Sequence, residues 1–110
     1  MRKIAVLSVL VAFALFAGCK SDPDATYRVI YNSNDTNTYG FPPNDNNQYA
    51  SGEEAVVLGQ NTLSKPGFTF EGWNTNRDGT GDSYVVGDRI TITDRDVFLY
   101  AIWEPAPLGN

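Results

Sequence analysis

Few side chains in this chain can do chemistry, and the residue types it lacks say as much as their spacing. Histidine is missing, which removes the commonest general base near neutral pH and the commonest metal ligand. Cys19 is the single cysteine, so neither an intramolecular disulfide nor a thiolate metal cluster can form. Ser-His-Asp and Cys-His nucleophile arrangements are out of reach for the same reasons. Among the thirteen acidic residues, Asp88, Asp94 and Asp96 fall at expected turns, and none lies in a stretch that suggests burial. Solvated loop charges are the expectation, and no catalytic residue is assigned. One spacing invites a metal: Asn74-x-Asn76-x-Asp78-Gly79 puts ligand-type residues at EF-hand positions one, three and five and glycine at six. Position one should be Asp, however, and position twelve, which should be a bidentate Glu, is Val85. We expect a hairpin loop here, with no metal and no cofactor. The glycine-rich Asp78 to Tyr84 lacks the Lys-Ser/Thr ending of a phosphate loop. With eight basic residues and a net charge of −5, no nucleic-acid footprint is present.

The position of Cys19 suggests a different chemistry. Arg2 and Lys3 form a short positive segment, and Ile4 to Phe16 is apolar except for Ser8. That run has the length of a signal-peptide core and is short for a membrane span. Ala17 and Gly18 are small, and Cys19 follows at once, so residues 15–19 resemble a bacterial lipobox with Leu15 one place early and Phe16 in the usual leucine position. The resemblance implies cleavage between Gly18 and Cys19 and acylation of Cys19. An ordinary secretory signal with a chance cysteine is the alternative. Two or three acyl chains would give durable attachment to a membrane. Loss of Arg2 and Lys3 would leave six basic residues against thirteen acidic ones, a net charge of −7, so the lipid rather than the protein surface would hold the chain at an anionic bilayer. Lys20 follows the cysteine, so the Asp-based inner-membrane retention signal is absent, and an outer-membrane or cell-surface location in the bacterial envelope is expected.

The mature chain divides by composition. Residues 1–18 read as signal peptide, 19–26 as a lipidated tether containing Pro23, 27–103 as the folded body, and 104–110, with two prolines and a glycine, as a flexible tail. No stretch of the body carries a helical period. Short alternating or continuous apolar segments predict strands at Tyr27–Tyr31, Glu54–Gly59, Phe68–Trp73, Arg89–Thr93 and Val97–Trp103. The last is apolar throughout and should be a central strand covered on both faces. Lys65-Pro66-Gly67 fits a type II turn, Asp78-Gly79 a hairpin turn, and Asp94 to Asp96 a tight hairpin joining the last two strands. Residues 32–48, rich in Asn, Asp and Pro, form a long loop of the kind that is often functional. The fold class is therefore mainly β, α+β at most.

Two stretches echo each other. Tyr49-x-x-Gly52-Glu53-x-Ala55-x-Val57 and Tyr84-x-x-Gly87-Asp88-x-Ile90-x-Ile92 share one pattern of tyrosine, glycine, acid and alternating apolar residues. We expect two similar turns leading into strands, each with its tyrosine packed and its acid outside. Among the other aromatics, Phe68, Phe70, Trp73 and Trp103 are expected to fill the interior, with Trp73 turned to the opposite strand face by Gly72. Tyr39 and Phe41, in a loop without core periodicity, are the candidate contacts for a partner.

Residues 62–103 resemble the Listeria–Bacteroides repeat, the family that includes the internalin B repeat. The matching elements are Leu63, Lys65 to Phe68, Phe70, Gly72-Trp73, Asp78 to Gly81, Tyr84, Gly87-Asp88, Leu99 to Ala101 and Trp103. Upstream, Tyr27, Val29, Tyr31, Tyr49 and Gly52 fit the family pattern more loosely, and the family's Asn-Gly turn is Asn34-Asp35 here. The resemblance implies a small β-grasp-like single domain of the kind found on bacterial surface proteins. Together with the signal it leads us to expect a membrane-anchored, non-enzymatic module. It would bind an unknown protein or glycan, and not nucleic acid. The alternatives are a structural spacer and an assembly partner docking through a strand edge.

Overall fold

The computed structural model describes residues 23–107; Gly18 and Cys19 lie outside the described residues. Eight strands and no helix are present among them: β1 (Thr26–Tyr27), β2 (Val29–Asn32), β3 (Tyr49–Ala50), β4 (Glu54–Val56), β5 (Phe68–Asn74), β6 (Ser83–Tyr84), β7 (Arg89–Thr91) and β8 (Val97–Pro105). Their arrangement is mainly β, as the short apolar segments predict. A four-stranded sheet runs in the order β2-β8-β5-β6, while β4 pairs with β7 and β1 with β3 as separate antiparallel ribbons. β2 and β8 are parallel, Val29 opposite Val97 and Asn32 opposite Tyr100. β5 and β8 are antiparallel from Phe68–Pro105 to Asn74–Tyr100.

The core lies between the sheet and the β4–β7 ribbon. The sheet contributes Val29, Tyr31, Trp73, Leu99 and Ala101, the ribbon Ala55, Val57, Ile90 and Ile92, and Leu63 fills the gap between them; all are buried. The alternation expected for residues 89–93 holds, Ile90 and Ile92 both pointing inward. β8 is central, as expected, but only one of its faces is fully covered. Leu99 and Ala101 face the core, whereas Phe98 on the other face is 48 % exposed and lies in register with the partly exposed Ile30. Pairing also runs past the composition boundaries. Thr26 belongs to β1, and β8 continues through Glu104 and Pro105, after which the Ala106 N–H donates to the Gly67 carbonyl at 2.9 Å.

Two local expectations are corrected. Asp94 to Asp96 does not close a hairpin, because β7 pairs with β4 and β8 pairs with β2 and β5. The segment instead carries the chain from ribbon to sheet, and there the Asp96 carboxylate accepts the Arg28 N–H at 2.9 Å. Trp73 does not turn away from Phe70. The register shifts between Phe70 and Gly72, so that Phe70 opposes Trp103 while Gly72 opposes Ile102. Glu71 is thus an extra residue in a β-bulge, and a bulge re-aims the side chains that follow it. It returns Trp73 to the face of Phe70, whose ring it meets edge-on at 4.9 Å between centroids. Tyr31 meets Trp73 edge-on at 4.8 Å, and Phe70 meets Trp103 at 5.7 Å. Both indoles are satisfied, Trp73 Nε1 donating to the Leu58 carbonyl and Trp103 Nε1 to the Ser33 carbonyl. Gly72 is required at this bulge. Its φ is +126°, and a Cβ would sit 2.8 Å from the Tyr84 carbonyl oxygen.

The sequence echo becomes a pseudo-twofold unit. Glu54 opposes Thr91 and Val56 opposes Arg89 across Ala55–Ile90. Around this pair every hydrogen bond has its image. The Gly52 N–H donates to the Ile92 carbonyl and the Gly87 N–H to that of Val57; the Ile92 N–H donates to the Glu53 carbonyl and the Val57 N–H to that of Asp88. The acids are not idle on the outside: Glu53 accepts the Ala50 N–H and Asp88 the Val85 N–H, each at 2.8 Å. Each copy therefore caps the other's strand, which gives two short strands the ladder that neither could hold alone.

Candidate functional site

The long segment 33–48 is built by its own polar side chains. Asn34 takes a φ of +60°, a conformation that asparagine tolerates better than most residues. Its side-chain amide donates to the Ala101 carbonyl at 3.0 Å and to the Arg77 carbonyl at 2.8 Å, which ties the loop to β8 and to the β5–β6 connection. Asp35 is the next fixed point. Its carboxylate accepts the Asn37 N–H at 2.7 Å and pairs with Lys65 Nζ at 2.6 Å, while its carbonyl accepts from Ser33 Oγ and Thr38 Oγ1. The Lys65 hydrogen bond, followed by the Asn37 N–H, holds the Asp35 carboxyl below its ordinary value. The Lys65 ammonium also lies 3.8 Å from the centroid of the Phe68 ring.

Tyr39 and Phe41, the residues singled out from sequence, follow directly and are exposed, at 67 % and 75 %. Their backbone is pinned. Tyr39 and Ser64 exchange two main-chain hydrogen bonds of 2.8 and 2.9 Å. The Phe41 N–H donates to Thr62 Oγ1, and the Phe41 carbonyl accepts from the Asn61 amide, both at 3.0 Å. Gly40 between them has φ +75°, and a Cβ there would collide with the Thr62 carbonyl. Two large rings are thus presented by a backbone that has little freedom to rearrange. Beside Tyr39 is a cleft of about 380 Å³ lined by residues 36–39, Lys65, Pro66 and Phe68. Phe68, expected in the interior, is 38 % exposed and forms one wall of it. Its position at the start of β5, directly after the Pro-Gly turn, was the available sign that it would sit at the rim.

The far end of the same loop holds a group that the sequence reading missed. Asp45 is buried, its carboxylate accepting the Tyr49 hydroxyl at 2.7 Å and the Asn47 N–H at 3.0 Å. Burial and then the Asp45 hydrogen bond push the Tyr49 phenol up. Burial raises that of Tyr31 as well; the Leu58 N–H that donates to it at 2.9 Å opposes this, and the Asp45 charge adds to it. Both phenols stay neutral: Tyr49 ties the end of the loop through Asp45, and Tyr31 ties the segment after β4 through the Leu58 N–H.

In the loop with EF-hand-like spacing, the ligand-type side chains bond the loop itself. Asn74 is buried; its Oδ1 accepts the N–H groups of Asn76 and Gly81 at 2.9 Å, and its Nδ2 donates to Gly79, Gly81 and Ser83. Asp78 accepts from the Thr80 N–H and hydroxyl, and these bonds lower its pKa. Asn74 is therefore the organiser of residues 75–82. No group of three or more His, Cys, Asp or Glu side chains able to hold a metal occurs among the described residues.

The chain belongs to the Listeria-Bacteroides repeat domain family, whose sequence profile matches residues 27–102. Two relatives come from Evansella cellulosilytica. One, provisionally named a membrane protein, is 42 % identical over 77 residues, covering 70 % of this chain and 11 % of the relative. The other, provisionally named a Gly-rich membrane protein, is 44 % identical over 78 residues, covering 71 % of this chain and 9 % of the relative. The chain therefore spans about a tenth of the length of these curated relatives. No solved structure matches it significantly.

Proposed function

We propose that this chain is a membrane-anchored, non-catalytic interaction module of the bacterial cell envelope, held by lipid on Cys19 and presenting Tyr39 and Phe41 to a protein or glycan. The lipobox-like residues 15–19 and the membrane-protein names of the two relatives support the location, with the outer membrane or cell surface favoured by Lys20. The observation that carries the binding role is the pair of exposed rings on a pinned backbone. Exposed aromatics cost area in contact with water, and rigid ones form contacts with little loss of conformational freedom. The test is capture of envelope components by the wild type and by a Tyr39→Ala/Phe41→Ala double variant. Capture should be lost in the double variant while Tm stays within about 2 °C of wild type. A collapse of Tm would assign both rings to the core and remove the proposed contact site.

One observation favours a second reading, docking through a strand edge. β6 pairs only with Trp73 and Asn74 of β5, leaving Phe68 to Glu71 without a strand partner on that side among the described residues. Capture that survives loss of both rings would point there.

A further inference from the structure

We infer that the cleft between Tyr39 and Phe68 takes a neutral sugar chain, an inference that rests on the interaction reading above and narrows its ligand. A pyranose ring carries C–H groups on its faces and hydroxyls around its rim. A site for it needs aromatic walls and short polar side chains that can both donate and accept. The cleft offers these in one place: Tyr39 and Phe68 are exposed at 67 % and 38 %, and Thr36, Asn37 and Thr38 line the space with them.

Charge selects against acidic glycans. Lys65 is the cation of the cleft, and its ammonium is already engaged by the Asp35 carboxylate at 2.6 Å and by the Phe68 ring at 3.8 Å. An incoming carboxylate or sulfate would have to compete with Asp35, and it would approach a chain of net charge −5. The backbone selects against an extended peptide. The Tyr39 N–H and carbonyl are both bonded to Ser64, and the Phe68 N–H donates to the Lys65 carbonyl at 3.1 Å. Those three main-chain groups are therefore closed to strand addition. The walls are also placed in advance: Gly40 and the Tyr39–Ser64 bridge fix the backbone that carries one ring, and Lys65 lies over the other. Little ordering remains to be done on binding.

The experiment is an amide-resolved NMR titration of the full chain in mild detergent with chitohexaose, maltohexaose and, as the acidic counterpart, hexagalacturonate. At least one neutral hexasaccharide should shift the amides of residues 36–39, Lys65 and Phe68, with Kd on the order of 1 mM or tighter. Tyr39→Ala and Asn37→Ala should each weaken binding about tenfold. Phe68→Leu keeps apolar bulk beneath Lys65 and should weaken it as well, with the remaining amide spectrum unchanged. The inference is overturned if neither neutral hexasaccharide shifts these amides, if hexagalacturonate binds as well or better, or if the shifts fall elsewhere. Should the sugars fail while envelope capture still depends on Tyr39 and Phe41, the sugar ligand is wrong and the interaction module stands. Loss of both results removes both.

Discussion

At the scale of single residues, amide and carboxylate side chains do the building in this protein. Asn34 bonds two backbone carbonyls and Asn74 four backbone groups, while Asp35 and Asp45 each accept a backbone N–H of the loop that they sit in. This is how a small domain satisfies loop backbone that has no ladder to join. Asp35 yields a pH prediction. Its carboxyl is held below the ordinary carboxylate value by Lys65, so its contribution to stability is present above the unfolded pKa and is lost as pH falls through the lowered folded value. Asp35→Asn should therefore have a lower urea midpoint than wild type at neutral pH, and the gap should close as pH falls through the lowered folded value. A gap that is constant with pH would mean that the loss is one of shape and not of charge.

At the scale of elements, two devices set the geometry. One is the reciprocal capping of β4 and β7, in which each glycine-acid turn supplies donors and acceptors to the other copy's strand. The other is the bulge at Glu71, which places Phe70 and Trp73 on one face. The bulge depends on Gly72, whose φ of +126° and proximity to the Tyr84 carbonyl leave no room for a side chain. We expect Gly72→Ala to cost about 2–4 kcal/mol in urea unfolding, since backbone strain and a steric shift of β6 add together. A change of less than about 0.5 kcal/mol, the range of ordinary surface substitutions, would show that β6 moves away freely and that the bulge is not fixed at that point.

At the scale of the whole molecule, a sheet and a ribbon enclose one apolar core with Trp73 and Leu99 fully buried inside it. The domain is acidic, which disfavours adsorption to anionic membrane by its own surface. Attachment in the proposed function thus falls to Cys19. A Cys19→Ala variant is expected to accumulate as full-length precursor and to incorporate no labelled fatty acid. Normal processing of that variant at Gly18 would reassign the leader to an ordinary secretory signal and remove the lipid from the proposal.

Much of this was legible in the residues themselves. Short apolar runs cut by glycine and proline define a mainly β chain, and the pattern of Tyr49 and Tyr84 with the residues after them marks two equivalent turns. Tyr39 and Phe41 stand out because nothing around them repeats with a strand's period. Those are local properties, set by side-chain alternation and turn chemistry within a few residues. The tertiary structure alone decided which strands meet, so that β7 joins β4 while β8 runs parallel to β2. It also decided that one extra residue at Glu71 keeps Trp73 with Phe70, and that Asp45 goes inside while Phe68 comes to the rim. Each of these outcomes is a contact between segments far apart in the chain. Strand pairing, burial of a carboxylate and the walls of a cleft are fixed by what lies across from a residue, and the neighbours of that residue in sequence do not carry that information.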